Sequence, residues 1–288
     1  MFGLPEVKRR RKMIEIPEAA TLVNQLNKTV KGRIISKVTT NSSPHKFAWF
    51  SGDPKKYHEI LKGKKMGKSV NRGGMVEIEA GDKILLFTDG INLRFIEQYE
   101  KIPKKHQLLI EFEDKSLLIA SVQMYGGLWC CDPGEFDNEY YQYSYSKPSP
   151  LSDQFDQNYF ENLVNSEELK TKSVKALLAT EQRIPGLGNG VLQDILYNSK
   201  IHPKRRVDSL STKEINNLYR SVKKTLKEMT EQGGRDTEKD LFGEKGGYVT
   251  KLCRNTVGKI CLQCGDKIVK QNYMGGSIYF CGNCQKNE

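Results

Sequence analysis

The sequence predicts a multidomain α+β protein: an N-terminal two-layer β-sandwich with flanking helices, a helical domain, and a C-terminal cysteine-ribbon hairpin. Three observations predict this. Short β-rich runs crowd residues 33–130, apolar residues recur at helical spacing on both sides of a glycine-rich turn, and four of the seven cysteines close the chain in two CxxC pairs. With 288 residues the chain has room for two domains and a small appendage. Its 46 Lys and Arg against 35 Asp and Glu give a net charge of +11, which favours a polyanionic partner. No apolar run reaches the ~18 residues that a membrane span needs. The basic start leads into Ile14-Glu15-Ile16-Pro17-Glu18 rather than an apolar signal region, and the CxxC pairs suit a reducing compartment. A cytoplasmic protein that works on nucleic acid is the resulting expectation.

Residues 1–12, MFGLPEVKRRRK, read as an upstream extension before a natural start at Met13. Glu, Lys and Arg can all be written in purine codons, so Glu6 to Lys12 could be a translated ribosome-binding site; a basic arm for DNA is the alternative. Without these residues the net charge is +7, and the chain stays basic. The first domain spans 13–135. Ala19, Leu22, Val23, Leu26 and Val30 recur at helical spacing, and Lys31-Gly32 closes that helix. Strands follow at 32–38, 75–79, 83–87, 93–96, 108–112, 117–120 and 128–129, with a helix between Asp53 and Gly63. His45, His58 and His106 lack ligand spacing and read as surface or structural residues. Residues 136–157 carry Tyr140, Tyr141, Tyr143 and Tyr145 but no periodicity, so they read as a linker. Its tyrosines either pack between domains or stack on bases.

The second domain spans 158–250 and is organised around Ser173 to Arg206. Val174, Leu177 and Leu178 precede a turn with Pro185, Gly186, Gly188 and Gly190; Val191, Leu192, Ile195 and Leu196 follow it. The pattern is helix, double turn, helix. Its glycines leave amides open at the start of the second helix, an anion site suited to a phosphate. The plainer alternative is a helical hairpin whose glycines only turn the chain. A dinucleotide fingerprint fits poorly, because the turn follows a helix rather than a strand and the glycine spacing is wrong. Ser211-Thr212-Lys213-Glu214 forms a capping box that opens a helix with Ile215, Leu218, Val222, Leu226 and Met229 on one face, stopped by Gly233-Gly234. Residues 235–250 read as a loop. In the last part, 251–288, the spacing Cys261-x2-Cys264-x16-Cys281-x2-Cys284 suits a closed tetrahedral Zn²⁺ site of structural type. Cys130, Cys131 and Cys253 are spares.

Gly186-Leu187-Gly188-Asn189, followed by Ile201-His202-Pro203-Lys204-Arg205, resembles the helix–two-turn–helix element of the formamidopyrimidine-DNA glycosylase/endonuclease VIII family. Ile14 to Ala19 resembles that family's opening Pro-Glu-Leu-Pro-Glu-Val, and the ribbon ending in Cys284-Gln285-Lys286 resembles its zinc hairpin. The resemblance implies a base-excision-repair protein of the bacterial cytosol or nucleoid whose partner is double-stranded DNA with a damaged base. A monomer is expected. Asn189, with the amides of Gly188 and Gly190, is implied to hold phosphates, together with Lys175 and Lys204. Gln123-Met124-Tyr125-Gly126 matches the intercalation loop, so that Tyr125 could wedge and Gln123 pair the orphaned base; a buried Tyr at a strand end is the alternative. Glu15 matches the carboxylate that acts near the sugar, and Glu18 the structural or capping carboxylate beside it.

Three positions depart from the family. Its nucleophile is an N-terminal proline amine, whereas the matching residue here is Ile14, or Phe2 if Leu4-Pro5-Glu6-Val7 carries the match. Its second catalytic lysine falls on Gly74, with Arg72 the nearest cation and Lys68 an alternative. Its phosphate-binding arginine in the hairpin falls on Gly276. The expectation is a DNA glycosylase in which Glu15 activates water at C1′, without a proline Schiff base or efficient strand cleavage. The alternatives are a catalytically inactive lesion-binding repair protein and, third, RNA or ribosome binding through the ribbon.

Overall fold

The computed structural model describes residues 14–88, 90–98 and 101–287; the extension read at 1–12, with Met13, lies outside the described residues. Helix α1 (Ile16–Thr29) carries Pro17 in its first turn, where the missing N–H costs nothing. Its stripe Ala19, Leu22 and Leu26 is buried in the core of the N-terminal domain, and Val30 completes it at the C-cap. Strands β1 (Ile35–Thr40), β2 (Ala48–Phe50), β3 (Met66–Arg72), β4 (Met75–Ala80), β5 (Lys83–Phe87), β6 (Ile91–Ile96), β7 (Leu108–Phe112), β8 (Leu117–Val122) and β9 (Gly126–Cys131) then build two sheets. One runs β1-β7-β8-β6 and the other β2-β9-β5-β4-β3, antiparallel except for the β2–β9 pair. Ile78, Leu85, Phe87, Phe95, Ile110 and Phe112 all belong to one buried cluster. This is the expected sandwich. Helix α2 (Tyr57–Leu61) fills the stretch read as helical between 53 and 63, and the Tyr57 hydroxyl donates to Leu128 O of β9 (2.9 Å).

The stretch read as a linker, 136–157, is not all irregular. Helix α3 (Glu139–Ser146) lies inside it, capped by Asn138, whose side chain accepts from the Tyr141 N–H (3.0 Å). Tyr141 packs edge-on against Phe136 and donates its hydroxyl to Glu77 (2.7 Å), fastening the segment to β4. The sheltered face of this helix is made of tyrosine and serine, so hydrophobic periodicity could not reveal it.

Helices α4 (Gln157–Val164), α5 (Val174–Ala179), α6 (Asn189–Ser199) and α7 (Thr212–Glu231) form the helical domain around Phe160, Leu177, Leu192, Ile195, Val222 and Leu226. At the start of α7, Ser211 Oγ accepts from the Glu214 N–H (3.3 Å) while the Glu214 carboxylate accepts from the Ser211 N–H (2.8 Å). A cap of this kind contributes about 1 kcal/mol. Residues 235–250 are irregular, as expected. Strands β10 (Ile268–Tyr273) and β11 (Gly276–Cys281) make the terminal hairpin. No helix among the described residues is long and apolar enough to cross a membrane.

The start of α1 runs along the seam between the two larger domains. Ile14 is 7% exposed and packs in the sandwich core, whereas Ile16 belongs to the helical core. Glu15 stands between them.

Candidate nucleic-acid interface

The amide-rich start of α6 holds an anion, but that anion belongs to the chain itself. Glu15 Oε1 accepts from the Gly190 N–H (2.9 Å) and Oε2 from the Val191 N–H (2.8 Å). A Cβ at Gly188 would lie 2.5 Å from Glu15 Oε1, and one at Gly190 would fall inside the Arg235 guanidinium. Both glycines therefore make room for the carboxylate and its counter-ion. The Gly190 amide, expected to face a phosphate, donates to Glu15 in this structure. Gly186 shapes the approach at φ +78°, and its carbonyl accepts from the Ile16 N–H (3.0 Å).

Sequence reading missed Arg235, which lies in the loop after Gly233-Gly234 and is 3% exposed. Its Nε and Nη2 donate to the two oxygens of Glu18 (2.9 Å each), and Nη1 stands 3.6 Å from Glu15 Oε2. Glu18 also accepts from the Glu15 N–H (3.3 Å). Two carboxylates one helical turn apart with little access to water require a cation; that requirement was the only signal for it in the sequence. Glu15 is itself 5% exposed. Burial pushes its carboxyl above the usual 4.5, against the pull of Arg235 and the two amides.

The other side of the α6 start meets the hairpin. Asn189 Nδ2 donates to Ser277 O (2.8 Å), and Gln193 bridges the same strand through Ser277 O (3.3 Å) and the Tyr279 N–H (2.9 Å). Lys175 Nζ donates to Tyr273 O (2.6 Å). The Tyr273 ring has Lys175 Nζ at 5.7 Å from its centroid and Lys204 Nζ at 5.3 Å. Burial pulls the Lys175 ammonium below its ordinary 10.5. A Cβ at Gly276 would sit 3.4 Å from Lys175 Nζ and 3.8 Å from Asn189 Cγ. Lys175, Lys204, Asn189 and Gly276 thus converge. Asn189 Oδ1 is buried and has no hydrogen-bond partner among the described residues.

The remaining candidates stand apart from this cluster. Arg72 pairs with Glu77 (3.3 Å) and lies over the Tyr145 ring (4.2 Å). Gln123 and Tyr125 occupy the β8–β9 turn, where the Gln123 N–H donates to Gly90 O (3.2 Å). Lys68 is exposed on β3. Gly74 allows the β3–β4 turn to press on the domain seam: its Cβ would meet Ile14 O at 2.7 Å.

Cys261, Cys264, Cys281 and Cys284 place their sulfurs within 4.8 Å of one another. A tetrahedral zinc–thiolate site has sulfurs about 3.8 Å apart, and the pairs Cys261–Cys284 (3.8 Å) and Cys264–Cys281 (3.4 Å) fit a metal ion. The Tyr197 hydroxyl of α6 lies 3.1 Å from Cys261 Sγ and ties this site to the helical domain.

Comparison with known proteins finds two family models along the chain. A model of the formamidopyrimidine-DNA glycosylase N-terminal domain matches residues 13–121, and one of the formamidopyrimidine-DNA glycosylase H2TH domain matches residues 147–240. The formamidopyrimidine-DNA glycosylase of Prochlorococcus marinus strain MIT 9301 is 32% identical over 201 residues, 67% of either chain. That of Cytobacillus firmus is 26% identical over 282 residues, covering 95% of this chain and all of the relative. A solved Lactococcus lactis Fpg (MutM), in complex with DNA containing N7-benzyl-Fapy-dG, superposes with a TM-score of 0.80 at 25% identity, over 94% of this chain and 99% of that one. With both domain models matched in chain order on a shared fold, the chain belongs to the formamidopyrimidine-DNA glycosylase family.

Proposed function

We propose that this protein binds double-stranded DNA at a damaged base and releases that base by water attack, without a covalent enzyme–DNA intermediate. One observation carries the reading: Lys175 of α5, Lys204 and the Asn189 amide converge on one side of the α6 start, and the Glu15 carboxylate sits on the amide one residue further on. Phosphates held at the first would bring a deoxyribose towards the second. Solved relatives bound to lesion-containing DNA support the partner. In the step itself, Glu15 takes a proton from water, the water oxygen bonds to C1′, and the C1′–N bond breaks with its electron pair leaving on the base. Burial, by making this carboxylate more basic than usual, favours that role. Ile14 supplies no amine and Gly74 no lysine, which argues against a Schiff base. We infer that the four cysteines hold Zn²⁺, whose part is to fix the hairpin.

A second reading, a lesion-binding factor without catalysis, draws on the full engagement of Glu15, whose oxygens each already accept an amide. The two separate on a panel of lesion-bearing duplexes. The first predicts base release that appears as strand breaks only after alkali, is lost in Glu15→Gln, and yields no adduct on borohydride trapping. Efficient trapping would refute it; tight lesion binding with no base release by the parent protein would leave the second.

A further inference from the structure

Three large rings stand in water at one edge of the sandwich. Trp49 is 47% exposed, Phe47 47% and Tyr125 37%. Trp49 and Tyr125 come from different strand ends and meet with ring centroids 6.1 Å apart at an interplanar angle of 37°. Phe47 precedes Trp49 by two residues, in the turn that leads into β2 (Ala48–Phe50). Lys46 Nζ lies over the Phe47 ring at 5.4 Å, and the His45 ring meets its edge at 6.3 Å.

The strand that carries Trp49 is short but firmly held. The Gly126 N–H donates to Phe47 O (2.9 Å), Ser51 Oγ donates to Cys130 O (2.6 Å), and the Ser51 N–H donates to the Tyr57 hydroxyl (3.1 Å). β2 pairs with β9 over all three of its residues. Trp49 therefore stands on a rigid support, as a preformed binding surface requires. Apolar patches left in water by a folded chain mark interaction sites. The occupant follows from the mixture of chemistries. Flat rings with a cation beside them, on a chain of net charge +11, suit a planar π-face joined to a polyanion, which is a nucleobase on its strand.

We propose that Trp49, with Tyr125, is a stacking platform for one unpaired base of bound DNA, the base left without a partner across from the lesion. Phe47 extends the apolar surface and Lys46 takes the neighbouring phosphate. This rests on the DNA-binding reading above and adds to it a residue, Trp49, on a strand outside the β8–β9 turn. The chain has two tryptophans, and Trp129 is half-buried with its ring 4.6 Å from Phe136, so emission quenched by a stacked base reports on Trp49.

The test uses the full-length, zinc-loaded protein with two duplexes of equal length, one fully paired and one with a stable abasic-site analogue opposite 2-aminopurine. Binding is read by anisotropy and stacking by both fluorophores. The abasic duplex is expected to quench the protein's emission and the 2-aminopurine. Trp49→Ala should lose about 5- to 100-fold in affinity for that duplex and less than about twofold for the paired one. Trp49→Phe should recover most of the loss, and unchanged thermal unfolding shows that neither variant is misfolded. Equal losses on both duplexes, or an abasic affinity unchanged in Trp49→Ala, would overturn the platform and leave the DNA-binding reading standing. Failure of the parent protein to bind either duplex would overturn both.

Discussion

Replacing Arg235 by methionine removes the single guanidinium held between two buried carboxylates. Glu18 loses two charge-assisted hydrogen bonds of 2.9 Å, and Glu15 loses a cation at 3.6 Å. The carboxylates would then face each other in a site that water hardly reaches. Breaking a buried ion pair by deleting one partner costs about 3–5 kcal/mol. At about 2–4 °C per kcal/mol for a chain of this size, melting should fall by ~6–20 °C. Urea unfolding followed by circular dichroism, with a thermal scan alongside, reads both quantities. Arg235→Lys should not rescue, because an ammonium cannot make the paired contact with Glu18. Adding Glu18→Gln to Arg235→Met should recover at least ~1 kcal/mol, since the two residues are coupled. Gly190→Ala should mimic the loss, because its methyl would occupy the guanidinium's position. A stability within about 0.5 kcal/mol of the parent for Arg235→Met, or strictly additive effects with Glu18→Gln, would refute the idea that this ion triad holds the domain seam.

Gly74→Lys should lower the melting temperature and yield no borohydride-trapped adduct, because even its Cβ would press on Ile14 O at 2.7 Å; a stable variant that traps DNA would contradict this. Base release should fall on the acid side with a midpoint above 4.5: Glu15 must be ionised to take a proton, and its buried carboxyl holds its own proton to a higher pH than usual. Single-turnover rates across pH check it, and a limb below 4.5 would count against Glu15 as the base. Chelation of the metal, or Cys281→Ser, should free the hairpin from α6 and lower affinity for lesion DNA by more than about tenfold while the sandwich's circular dichroism persists. Metal analysis should find one zinc per chain in the parent. Affinity should fall steeply with salt, and Lys175→Met should flatten that slope by about one unit, which a salt titration reads.

Much of the fold could be read from residue patterns because its signals are local. The Ser211–Glu214 box, the cysteine spacing and the apolar run in Lys83–Phe87 each act over a few residues. What was hidden depends on pairing across the chain. Arg235 follows two glycines in an irregular loop, and its partner Glu18 is 217 residues away, so no local pattern announces it. The glycines at 188 and 190 rightly pointed to an anion at the start of α6, but nothing nearby told phosphate from carboxylate. Glu15 supplies that anion from the opposite end of the sequence. Trp49 escaped notice for another reason: a strand of three residues is too short to show alternation.

Residues 14–16 behave like a stitch sewn through two pieces of cloth: one isoleucine fills the first hydrophobic centre, the next fills the second, and the glutamate between them plugs the mouth of α6. A helical half produced alone, from residue 147 onward, would lack the plug and one filling side chain, leaving bare amides and a void beside the Lys175–Asn189 cluster. The two halves of this protein therefore cannot be exchanged as independent modules, and a chimaera between relatives would have to carry its first turn of α1 with the α6 that it fits.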